Sequence, residues 1–132
     1  MANSHYLARL IGPPLVVIAV SMLLDRTGYV ALSQDVIDNP TLIYIAAAIA
    51  LFPAVALVLA HNVWSADWRV LITLLGWVAV IDCVSWIFAH RQLAAFWSPL
   101  LDSEAWPLIG GAVTLLIGAV LCYFGYVARR PA

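Results

Sequence analysis

The chain has 132 residues, of which 65% are hydrophobic and 10% charged, with a formal net charge of -1 and a mean hydropathy of +1.01. Soluble domains carry roughly a quarter charged residues, so there are too few here to cover a water-facing surface. With six arginines and no lysine, there is neither a basic patch for nucleic acid nor an acidic tail, and a nucleic-acid partner has no support.

The first apolar run, 7–24, has Arg9 near its start and contains Ala19-Val20-Ser21, which resembles a small-residue cleavage site. A retained first helix is the preferred reading, because Pro13-Pro14 sits early in a run as long as a signal segment plus its flank. In the following segment, 25–40, Tyr29, Leu32, Val36 and Ile37 recur at helical spacing. This reads either as a short amphipathic helix on the membrane surface or as an ordinary packed loop.

The second run, 41–61, opens after Asn39-Pro40, where the proline's missing N–H costs nothing at a helix start. Ala46, Ala50 and Ala54 recur every four positions. Lipid tails are as apolar as leucine, so helices associate where small residues permit close backbone approach. That face serves either packing within the chain or an interface between subunits.

The link His61-Asn62-Val63-Trp64-Ser65-Ala66-Asp67-Trp68-Arg69 is the densest polar and aromatic cluster. Its short length makes the flanking helices antiparallel neighbours. Trp64 and Trp68 fit an interfacial belt, Asp67 a helix N-cap, and Arg69 a headgroup anchor. His61 and Asn62 are placed to satisfy the last carbonyls of the second helix. A sharper reading pairs His61 with Asp67 for proton handling, although two groups are too few for a metal site.

The third run, 69–90, holds Asp82, the one ionisable residue deep inside a span. A carboxylate at the bilayer centre costs about 2.5–3.5 kcal/mol on insertion scales, so it is expected to face the bundle interior or water. Ser85 shares its face and Thr73 lies opposite, so no continuous polar stripe runs along this helix. Asp82 and Ser85 read either as a relay or partner contact, or as a neutral acid hydrogen-bonded to a neighbouring helix. In 91–105, Leu93, Phe96, Trp97 and Leu100 repeat the amphipathic pattern.

The fourth run, 106–127, begins with Trp106-Pro107 and carries Gly111, Gly118 and Gly125 every seven positions, with Ala112 and Ala119 beside two of them. This heptad suits a left-handed crossing near about +20°. Cys83 and Cys122 lie in apolar runs and read as free thiols, and no C-x-x-C or His/Cys spacing indicates a metal or cofactor.

Each run is near the ~20 residues that cross ~30 Å of hydrocarbon, and in lipid such runs must be helices that satisfy their own backbone groups. The fold class is therefore an all-α polytopic membrane protein of four transmembrane helices in a single domain. Arg9, Arg69, Arg129 and Arg130 fall on one side. Arg26 and Arg91 fall on the other, with Asp25, Asp35, Asp38, Asp102 and Glu104. This arginine bias places both termini in the cytoplasm. The order of span, arginine, amphipathic stretch, X-Pro and small-residue span occurs twice, over 6–64 and 68–127, offset by about 64–67 positions. That reads as a tandem parallel repeat of two helix pairs about an axis along the membrane normal.

His61-Asn62-Val63-Trp64, then Asp67-Trp68-Arg69-Val70-Leu71-Ile72-Thr73, then Gly76-Trp77, resembles the central signature of a family of small, uncharacterised bacterial four-helix integral membrane proteins. The resemblance is most specific over 61–77, and length and hydropathy extend it over most of the chain. It implies a bacterial inner-membrane protein and carries no activity with it. Relatives with a lysine near the position of Asp82 would make this chain a departure there, which favours a partner contact particular to it over a shared relay.

No catalytic constellation or phosphate loop is visible, so an enzyme is not expected. The reading is a non-catalytic structural or accessory membrane protein that assembles with itself or joins a larger membrane complex. The alternative is a small channel or transporter with a proton or solute path near Asp82.

Overall fold

The computed structural model describes residues 3–103 and 105–128. Glu104, Arg129 and Arg130, which enter the charge comparison above, lie outside the described residues. The elements are α1 (Asn3–Leu24), α2 (Arg26–Ile37), α3 (Pro40–Ala60), α4 (Arg69–Leu101) and α5 (Ala105–Cys122). A wide π-helical turn, Tyr123–Val127, continues α5. Four segments are long and apolar enough to cross a membrane: Ser4–Leu24, Pro40–Ala60, Arg69–Leu101 and Ala105–Val127. No strand occurs among the described residues. The chain is thus an all-helical membrane protein with four candidate spans.

The boundaries follow local chemistry. Asn39 caps α3, its side-chain oxygen accepting from the amides of Thr41 and Leu42 at 3.2 Å each, with Pro40 opening the helix. Asp25 breaks the chain between α1 and α2 and accepts from the Gly28 amide at 3.0 Å. The segment 25–40 is therefore mainly helical rather than a loop. The segment 91–105 is likewise mainly helical rather than a loop: Ala89, whose φ of -125° and ψ of 34° are non-helical, kinks α4, and a second helical stretch runs on to Leu101. The internal prolines Pro13, Pro14, Pro53 and Pro99 do not end their helices. A membrane helix tolerates a proline where neighbouring groups satisfy the freed carbonyl.

The helices pack mainly as two pairs, α1 with α5 and α3 with α4. These pairs cross the halves of the sequence repeat, joining the first span to the fourth and the second to the third. An operation carrying the first half onto the second would exchange the two pairs. The glycine heptad explains the α1–α5 contact. A Cβ on Gly118 would lie 3.0 Å from the Val16 backbone nitrogen, and one on Gly125 would lie 3.0 Å from the Arg9 nitrogen. Gly111, Gly118 and Gly125 are all buried. The glycines therefore serve packing within the chain, as close backbone approach requires. Ala54 is likewise buried, whereas Ala46 and Ala50 are exposed.

The pairs meet at the end of the molecule that carries the 61–68 link. There Leu7, Ala8, Ile72 and Leu121 form a buried cluster, flanked by Ile11, Leu71, Leu75 and Ile117. One heptad beyond Ile11, Ile18 is 50% exposed, and one turn from Ile117, Val113 is 52% exposed. The pairs part in that direction, and α2 bridges them at the opposite end by touching all four long helices.

Candidate functional site

The parted region contains Asp82. It stands one heptad beyond Leu75, so it shares the α4 face that packs on the buried cluster near the link. Past the cluster the covering helices have separated, and Asp82 is exposed on the flank of the bundle. The sequence left it to face the bundle interior or water, and here the two alternatives meet. Its face is the interior one, but the bundle is open there. Ser85 does not join it, because the Ser85 hydroxyl donates to the Ile81 carbonyl at 2.7 Å. Trp86, one turn further on, is the neighbouring polar side chain of the carboxylate. Thr73, expected opposite, is fully buried on the other face.

At the link end the structure gathers a polar centre that the sequence reading did not assemble. His61 is 2% exposed. Its Nε2 lies 2.9 Å from Ser4 Oγ and its Nδ1 lies 3.1 Å from Thr73 Oγ1. The Thr73 hydroxyl donates to the Val63 carbonyl at 2.9 Å and accepts from the Val63 amide at 3.1 Å. Its one proton is thus committed, and its remaining lone pair accepts from His61 Nδ1–H. Nε2 of the neutral ring is then an acceptor, and Ser4 donates to it. Burial holds the His61 imidazole below its usual range, in keeping with this neutral form.

His61 satisfies one of the last α3 carbonyls through its backbone amide, which donates to the Leu57 carbonyl at 2.8 Å, while the side chains of His61 and Asn62 bond elsewhere. The buried ring of His61 instead ties α1, α3 and α4 together, and Asn62 Oδ1 accepts from the indoles of Trp64 at 2.7 Å and Trp77 at 3.4 Å. Asp67 accepts from Ser65 Oγ at 2.7 Å and pairs with Arg69 at 2.8 Å, which holds its carboxyl well below the usual range. It also accepts the Arg69 amide at 3.0 Å, so it does satisfy one terminal donor of α4 although Trp68 occupies the cap position. His61 and Asp67 thus bind different partners. Trp68 stacks on Phe124 at 5.0 Å between centroids and meets His5 at 5.2 Å.

Thr73 was visible as a polar residue opposite Asp82. Ser4 precedes the apolar run and carries no periodic signal. The available cue was topological, since an even number of spans brings residue 4 and the 61–68 link to the same membrane face.

Comparison with models of protein families, with curated proteins and with solved structures found no match to this chain.

Proposed function

We propose that the protein is a non-catalytic accessory subunit of a membrane complex, docking through the Asp82 face of α4 against a transmembrane helix of another protein. The observation that carries this reading is the exposure of a mid-span carboxylate on a surface that lipid would otherwise cover. Such a group costs about 2.5–3.5 kcal/mol in hydrocarbon and is relieved by a donor on a partner helix. The exposed Ala46 and Ala50 leave a further small-residue face for close helix approach, while the glycine heptad is already used within the chain.

Against catalysis stands the burial of the serine–histidine pair found among the described residues. Ser4 and His61 have the hydrogen bond of a nucleophile and base, yet they are 6% and 2% exposed, which closes them to a substrate carbonyl. We place the protein in a bacterial inner membrane with the link end in the cytoplasm, from the arginine bias and the resemblance over 61–77.

A mild-detergent pull-down with mass spectrometry tests the docking. The wild type should retain a defined membrane partner that Asp82→Leu loses. Retention equal in both, or a lone monomer in both, contradicts it. Retention of a second copy alone replaces the hetero-complex by self-assembly.

A second reading is favoured by the separation of the helix pairs around Asp82, which gives a proton or small solute an approach to the carboxylate. Proteoliposome flux unchanged in Asp82→Asn would dismiss it.

A further inference from the structure

The end of the molecule opposite the link holds a cavity of about 380 Å³ where α2 lies over the end of α4 and the start of α5. Its volume is within the usual range of small-molecule sites. Arg26 and Thr27 line one part of it, and Asp102 and Ser103 another, with Val30 and Pro107 contributing apolar walls. Among the described residues the ion pair is Arg69–Asp67, at the other end, so Arg26 and Asp102 share this cavity without joining each other. Gln34 donates to Asp102 Oδ1 at 2.6 Å, which fixes the carboxylate at the rim and leaves Oδ2 for another donor.

The level of this cavity in the bilayer is marked independently. It lies at the ends of the spans, beyond Leu24 and at the start of Ala105–Val127. Trp97 and Trp106 pack together at 5.2 Å at the same end, with Phe96 against Trp97 at 5.5 Å, as aromatic belts do at headgroup depth.

We infer that this cavity is a binding site for a zwitterionic phospholipid headgroup, taking the phosphate at Arg26 and Thr27 and the ammonium at Asp102. The assignment follows from charge arrangement. Arginine forms charge-assisted hydrogen bonds to phosphate oxygens, and the free carboxylate oxygen accepts from an ammonium. A purely anionic headgroup is disfavoured, because Asp25, Asp35, Asp38 and Asp102 all lie at this end, on or beside α2 and at the end of α4. Asp25 already occupies the Gly28 amide at the start of α2, so the phosphate contact falls to side chains rather than to the helix terminus. Val30 and Pro107 supply the apolar wall that a glycerol backbone and upper acyl chain would cover.

The test is lipid retention by native mass spectrometry of the full chain released from vesicles of equal phosphatidylethanolamine and phosphatidylglycerol. The wild type should retain phosphatidylethanolamine several-fold over phosphatidylglycerol. Asp102→Asn keeps the acceptor for Gln34 and should abolish the preference while still binding phospholipid. Arg26→Gln should reduce retention of both lipids. Equal retention of the two lipids by the wild type, or an unchanged preference in both variants, overturns the assignment. Soluble phosphoethanolamine in excess should leave the retained lipid in place. Ready displacement would overturn the bilayer as the source of the ligand. Unaltered thermal midpoints in the two variants separate loss of the site from loss of the fold.

Discussion

The Tyr126 hydroxyl donates to the Arg9 carbonyl at 3.1 Å, which is the carbonyl that Pro13 leaves without a helical donor. The π-helical turn that carries Tyr126 also brings the Gly125 carbonyl within 2.6 Å of Arg9 Nε and sets the Arg9 guanidinium 5.6 Å from the Tyr126 ring centroid. The proline in α1 and the wide turn after α5 are therefore one device, in which the second repairs what the first breaks. The bond is exposed, so Tyr126→Phe should lower stability by about 0.5–1.5 kcal/mol, the net worth of an ordinary hydrogen bond. Thermal unfolding in detergent checks this, and Pro13→Ala should make Tyr126→Phe nearly harmless.

His61 gives a pH dependence with a definite sign. Burial lowers its proton affinity in the folded state from the usual value of 6.5. The unfolded chain therefore binds the proton more readily, and stability rises with pH through this window. The contribution is complete above pH 6.5 and is lost as pH falls through the lowered folded value. The thermal midpoint should drop on acidification from pH 8 to about pH 5, and His61→Gln should flatten that part of the curve. Ser4→Ala, which strips the donor from Nε2, should cost about 1–3 kcal/mol at neutral pH.

The two small-residue faces should respond in opposite ways. Gly118→Leu forces a side chain into the Val16 backbone and should destabilise the α1–α5 pair by about 1–3 kcal/mol or more. Ala46→Leu fills exposed space and should leave the monomer's unfolding unchanged. Comparing thermal midpoints of the two variants checks this directly.

The Asp67–Arg69 pair is exposed on both sides, at 39% and 43%. Exposed pairs contribute little because water and salt screen them. Asp67→Asn should therefore unfold like the wild type, in contrast to the buried link-end variants.

The four spans were legible because a membrane helix depends on length and hydropathy, both read residue by residue. The helix start at Pro40 followed from local pattern as well, whereas 25–40 was open between an amphipathic helix and a loop, and the cap bonds of Asn39 decide the boundary only in the structure. The Ser4–His61–Thr73 centre was not legible in the same way, because its members lie on three helices and none has a local signature. The role of the glycine heptad was open in the sequence, since the same spacing suits contact within or between chains. Only the position of Val16 and Arg9 against Gly118 and Gly125 decides it. Asp82 was recognised as the unusual group, but its exposure depends on where the helix pairs part.

The central claim, that a partner helix covers Asp82, is tested most directly by photo-crosslinking in intact membranes from position 78 or 81. Val78 and Ile81 flank Asp82 on α4 and are each 61% exposed. The account predicts one discrete protein adduct that disappears when Asp82→Leu is added. Lipid adducts alone, or a protein adduct indifferent to that substitution, would contradict it.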